Sequence, residues 1–116
     1  MYRWGIFLKY QVLEYSIMVN EKLIQITQED LKFIYGEDYT IFKQKILPNC
    51  FCNCCAEDKN LTTIVNFKIF LNDLNDVVLK GFCHKCGKPV GRYIETGEVP
   101  KYEKRVLIIQ KKLSLN

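Results

Sequence analysis

Cys52 and Cys55 are separated by two residues, as are Cys83 and Cys86, and the 27 residues 56–82 lie between the two pairs. Two intervening residues let a tight turn aim both sulfurs at one point. Two such turns at adjoining ends of a small sheet supply the four thiolates of a tetrahedral zinc site. Four sulfurs leave no position for a water nucleophile, so the chemistry expected here is structural and not hydrolytic. One ion bound this way contributes its binding free energy to folding, on the order of 10 kcal/mol, which matches the whole stability of a small domain.

Neighbouring residues offer other chemistries, each with a plainer reading. Cys50 and Cys54 could replace a ligand of the first pair or form a redox switch, but nothing around them marks a low-pKa nucleophile, and they read as bystander thiols. His84 sits inside the second Cys-x-x-Cys turn, where its ring should point outward. Lys80, Lys85, Lys88 and Arg92 flank that turn and form a candidate basic rim for the phosphates of a nucleic acid, although scattered lysines also make an ordinary solvated face. Tyr93 could stack on a base or cover a sheet face. Glu95 and Glu98 lie around a turn with no histidine beside them, so no catalytic residues are assigned and an enzyme is not expected.

Composition narrows the class. A chain of 116 residues that is 48% hydrophobic has the size and apolar content of one folded domain. The apolar run from Trp4 to Leu8 ends at Lys9, too short for an export signal. Lys9 and Glu14 exclude a membrane span, which needs roughly 20 mostly apolar residues. The six cysteines are therefore expected to stay reduced in a cytoplasm, where this spacing binds metal. The formal charge of +4 falls to about +2 once four thiolates surround a divalent ion. That permits contact with nucleic acid without demanding it.

The elements that must position the cysteines are legible to different degrees. Residues 1–20 read as an extension of ambiguous period, and Met18 is an alternative start that would remove most of it. In residues 21–48, Thr27 followed by Glu29 and Asp30 marks a helix start ahead of Leu31, Phe33 and Ile34, with Gly36 as its end. A second helix is expected from Asp38 to about Ile46, stopped by Pro48. Thr62–Leu71 and Val77–Phe82, joined by Asn72-Asp73-Leu74-Asn75-Asp76, read as a β-hairpin, and Val90–Glu95 as a third strand ending at Thr96-Gly97-Glu98. Residues 99–116 read as a helix striped by Tyr102, Val106, Ile109 and Leu113, or as a strand through Val106–Ile109.

The segment FCHKCGKPVGRYIETGE resembles the C-terminal part of small uncharacterised bacterial zinc-ribbon proteins, and the likeness covers residues 47–98. The resemblance implies two zinc knuckles on a three-stranded antiparallel sheet, with Cys52, Cys55, Cys83 and Cys86 as ligands. Gly87 suits the second knuckle, whereas Ala56 stands where glycine is common in the first. The expected fold is α+β: an N-terminal helical segment, then a four-cysteine zinc ribbon over residues 49–98. The leading functional expectation is a regulatory or accessory module, bacterial by that resemblance, that contacts nucleic acid. The alternative is a protein–protein adaptor, or a self-associating module, docking through Trp4, Phe7 and Tyr10. A weaker alternative is an iron electron carrier similar to the rubredoxins, whose strongly acidic balance this chain lacks. The spacing also departs from the bacterial ferredoxin pattern.

Overall fold

The computed structural model describes residues 22–55 and 59–114. The N-terminal extension, with Trp4, Phe7, Tyr10 and Met18, lies outside the described residues, as does Ala56. The chain opens with strand β1 (Ile24–Ile26) and helix α1 (Gln28–Tyr35). A 3-10 turn (Gly36–Asp38) follows, then a short helix α2 (Tyr39–Ile41) that widens into a π-helical turn (Phe42–Ile46). Two short strands, β2 (Cys50–Phe51) and β3 (Leu61–Thr62), form a small ribbon of their own. The main sheet adds β4 (Ile64–Leu71), β5 (Val77–Cys83) and β6 (Pro89–Ile94), all antiparallel in the order β1-β4-β5-β6. A 3-10 turn (Thr96–Glu98) leads into helix α3 (Pro100–Ser114).

The protein is thus α+β, with two departures from the expected sheet. The sheet has four strands, because Ile24–Ile26 pairs with Ile69–Leu71 at one edge. Three residues are too few for alternation to show in a sequence. The first cysteine turn belongs to the separate β2–β3 ribbon and not to an end of the main sheet. The tail is helix α3, buried through Val106 and Ile109, with Tyr102 and Leu113 packed beside them.

Helix α1 starts where Thr27 and Asp30 form a reciprocal capping box. The Thr27 hydroxyl accepts from the Asp30 amide at 3.1 Å, and the Thr27 amide donates to the Asp30 carboxylate at 3.1 Å. Lys112 of α3 reaches the same carboxylate at 3.0 Å, and Arg105 donates to the Ile34 carbonyl at 2.9 Å near the other end of α1. The helices lie on one face of the sheet, where Leu31, Ile34, Phe42 and Val106 meet Ile69, Leu71, Val77 and Leu79.

The β4–β5 turn is held by side chains. Asn72 Oδ1 accepts from the amides of Leu74 and Asp76 at 2.9 and 3.0 Å. The Thr96 hydroxyl donates to the Asn75 carbonyl at 2.8 Å and accepts from the Val77 amide at 3.1 Å, tying the turn to the start of α3. A Cβ on Gly97 would stand 2.2 Å from the Leu74 carbonyl oxygen, so this junction requires glycine.

Burial opposes the charge on Asp30, but hydrogen bonds from the Thr27 amide and from Lys112 outweigh it and hold the carboxyl below its ordinary 3.8. A depressed carboxyl stabilises the fold fully above its unfolded pKa, and that contribution disappears as pH falls through the lower folded value. Thr27→Ala should cost about 1 kcal/mol in urea unfolding at neutral pH. Asp30→Asn should flatten the acid limb of stability between about pH 5 and pH 2; an unchanged limb would show that Asp30 does not couple α1 to α3.

Candidate metal centre

Each cysteine turn is shaped by its own backbone hydrogen bonds. In the first, the Cys55 amide donates to the Cys52 carbonyl at 3.2 Å, and the Asn60 amide donates to the Cys55 carbonyl at 2.9 Å. The Cys52 amide donates to the Asn60 carbonyl at 2.8 Å, and Asn60 Nδ2 returns to the Cys52 carbonyl at 3.0 Å. Lys59 and Asn60 close the loop at φ of 57° and 63°, a left-handed pair that asparagine tolerates better than most residues. In the second turn, the Cys83 amide donates to the Lys88 carbonyl at 2.8 Å, and Gly87 takes a φ of 75° as its amide donates to the Cys83 carbonyl at 3.0 Å. The second turn is tied to the β3–β4 junction, where the His84 amide donates to the Thr63 carbonyl at 3.0 Å.

These turns bring the sulfurs of Cys52, Cys55, Cys83 and Cys86 within 4.8 Å of one another. Two pairs run across the two turns, Cys52 to Cys86 and Cys55 to Cys83, each at 3.5 Å. That is far beyond a sulfur–sulfur bond and close to the ~3.8 Å edge of a tetrahedron with metal–sulfur bonds of about 2.3 Å. Cys52 and Cys83 are buried, Cys55 is half-buried and Cys86 is exposed at the rim.

The cluster is already polarised toward a cation. Burial disfavours the Cys83 thiolate, yet the Thr62 hydroxyl at 3.1 Å and the amides of Cys86 and Lys85 at 3.4 and 3.3 Å outweigh it and bring Cys83 down to about 6. The hydrogen bond with Cys83, followed by burial, pushes Cys55 up to about 12, and burial raises Cys52. One thiol thus ionises readily while its neighbours resist. A divalent cation held by these four residues would reverse that resistance, because its charge would compensate thiolates that otherwise repel.

The remaining cysteines stand apart. Cys50 is fully buried, its thiol directed at the carbonyls of Ile46 and Leu47 at 3.4 and 3.6 Å, and burial raises it to about 11. Cys54 is exposed beside Asn53. His84 is exposed and outside the four-sulfur group.

The basic residues read from the sequence do not form one surface. Strand β5 turns Lys80 to the sheet face away from the helices, its ammonium 5.6 Å from the Phe70 ring centre. Arg92 pairs with Leu79 and faces the opposite way, donating to the Asn49 carbonyl at 2.6 Å beside β2. Its charge acts on Tyr35 and Cys50 within the fold. Lys85 bridges to the Leu61 carbonyl at 3.3 Å, and Lys88 is exposed. Tyr93 shares the face of Lys80, and Glu95 precedes and Glu98 ends the 3-10 turn before α3. Sequence reasoning missed Thr62, whose only signal is its place at the end of a β-rich run, and Asn60, which closes the first turn.

Thr62→Val keeps the shape of the side chain but removes the hydroxyl from Cys83. It should weaken metal retention in a chelator competition about tenfold, in the range seen when a hydrogen bond to a ligand is lost. Cys50→Ser should leave metal content unchanged, and metal loss in that variant would place Cys50 among the ligands.

Comparisons with family models, with curated proteins and with solved structures returned no match, so the reading of this centre rests on its own residues and geometry.

Proposed function

We propose that the protein is a small structural-zinc module whose metal-braced knuckles present a basic surface to nucleic acid. The observation that carries the metal reading is the convergence of four sulfurs, drawn from turns 28 to 34 residues apart, within 4.8 Å. Zinc is favoured because a closed set of four thiolates suits an ion with no geometric preference of its own, and the site serves to hold two turns together. Sulfur fills every position, so the ion has no water to activate.

Charge segregation supports nucleic acid as the partner. Residues 59–72 and 77–94 contain no aspartate or glutamate, while they include Lys59, Lys68, Lys80, Lys85, Lys88 and Arg92. The carboxylates between them, Asp73 and Asp76, sit at the far turn of the hairpin, where Asp76 is buried. With Arg92 holding Asn49 and Lys85 on the Leu61 carbonyl, the lysines that would meet phosphates are Lys68, Lys80 and Lys88.

The adaptor reading draws on a separate observation. Leu107 and Ile108 are half exposed, side by side on the outer face of α3. Among the described residues, no helix is long and apolar enough to cross a membrane.

Two measurements test the proposal. Elemental analysis of reduced protein should find about one zinc per chain, lost in Cys83→Ser and in Cys86→Ser. Iron in its place would make the protein an electron carrier. Binding to nonspecific DNA or RNA should weaken with salt, with a log–log slope of roughly 2 to 3 for three lysine–phosphate contacts on a duplex. Salt-insensitive self-association lost on changing Leu107 and Ile108 to serine would favour the adaptor reading instead.

A further inference from the structure

Strand β4 contains a bulge, and the sheet face away from the helices is shaped by it. Register runs Ile64 to Cys83 and Val65 to Phe82, then resumes with Lys68 opposite Lys80, so β4 holds one extra residue around Asn66 and Phe67. Asn66 adopts a φ of 50° and is exposed. Opposite it, Gly81 is required: a Cβ there would approach the Val65 carbonyl oxygen and the Phe67 Cβ to 2.7 Å each. The result is a groove of about 330 Å³ between Asn66, Lys68, Lys80, Phe82 and Pro89.

Three features of this groove are costly for a surface with no ligand. Lys68 and Lys80 stand directly opposite each other across two strands, where like charges destabilise pairing. Phe82 keeps 45% of its surface exposed on a central strand. Neither β4, β5 nor β6 carries an aspartate or glutamate to neutralise the lysines. An anionic partner with a flat apolar part answers all three.

We propose that this groove binds single-stranded nucleic acid, with a base stacked on Phe82 beside Pro89 and the flanking phosphates on Lys68 and Lys80. The Asn66 carboxamide supplies a donor and an acceptor at the groove wall. This rests on the nucleic-acid reading above and specifies its surface. A single strand is favoured over a duplex because the bases of a duplex are already stacked and cannot reach an aromatic face, whereas every unpaired base offers one. An acidic peptide would satisfy the lysines but has no need of the exposed ring.

Fluorescence anisotropy tests this on the full zinc-loaded chain, using fluorescein-labelled oligothymidylate of about 12 nucleotides and a duplex of the same length. The single strand should bind about tenfold more tightly than the duplex. Phe82→Ala should lose about tenfold on the single strand and Phe82→Trp should retain it, while duplex binding stays within about twofold. Lys68→Gln with Lys80→Gln should lower the single-strand salt slope by about 1.4. These two lysines also decide the matter if Phe82→Ala fails to keep its zinc. Duplex and single strand binding equally, with neither set of substitutions having an effect, would overturn the groove and leave the nucleic-acid reading standing. Absence of binding to both probes, with zinc present, would overturn both.

Discussion

The convergence of four thiols is the constraint on which the rest of this architecture depends. Two ribbons, β2–β3 and the end of β5 with the start of β6, meet at the cysteine turns, through backbone bonds such as the His84 amide on Thr63, and through Lys85 on the Leu61 carbonyl and Arg92 on Asn49 beside β2. Thiol pairs at 3.5 Å attract one another only weakly, and the hydrogen bond with Cys83, with burial, opposes ionisation of Cys55. A divalent ion bound there would compensate the neighbouring thiolates and turn their repulsion into attraction. One apolar core runs from Leu31, Ile34, Phe42 and Val106 of the helical half to Cys50, Cys52, Ile64 and Cys83 beside the cluster, so the placing of the cysteine turns is felt by the helices as well.

The bulge in β4 reconciles the metal end of the sheet with its apolar end. Ile64 and Ile69 are both buried on the helical face, yet they are five residues apart, and side chains alternate with a period of two. A regular strand would send one of them to the opposite face. The extra residue at Asn66 and Phe67 restores the phase, so Ile64 lies beside Cys83 near the cluster while Ile69 and Leu71 meet the helices. Gly81 permits the close passage this demands, and its neighbours on β5 then face alternately toward the helices and away from them.

Much of this was legible where side chains carry local rules. The Cys-x-x-Cys pairs, the Thr27 cap and the Asn72–Asp76 turn each depend on residue types at short fixed spacing. What was not legible depends on register. Arg92 reads as part of a basic rim in sequence, but its pairing with Leu79 turns it to the helical side, and that follows from the whole β5–β6 register. Strand β1 is too short to show a pattern, and its place is set by Ile69–Leu71. Thr62 becomes a partner of Cys83 only through a contact 21 residues distant. The first cysteine turn reads as irregular because the residues that close it, Lys59 and Asn60, lie after the pair instead of at a glycine beside it.

The division of charge follows from the same geometry. Several of the described acidic residues lie on or beside the helices, where Glu37 and Asp38 meet Lys101 at 3.1 and 2.8 Å and Asp30 meets Lys112. Asp30, Glu37 and Asp38 each have a cation across an element boundary; a backbone hydrogen bond and Lys101 hold Glu37 below the usual range, and Lys101 and Tyr102 hold Asp38 there. Among the described residues, Lys68 and Lys80 on the face opposite the helices form no ion pair. A metal centre with four thiolates would be net negative, and the lysines around its rim offset that charge at long range. They are therefore compatible with the ion as well as with an external anion. Lys68 and Lys80, paired across strands toward the middle of the sheet, are the residues for which the ion is the weaker explanation and the external anion the stronger one.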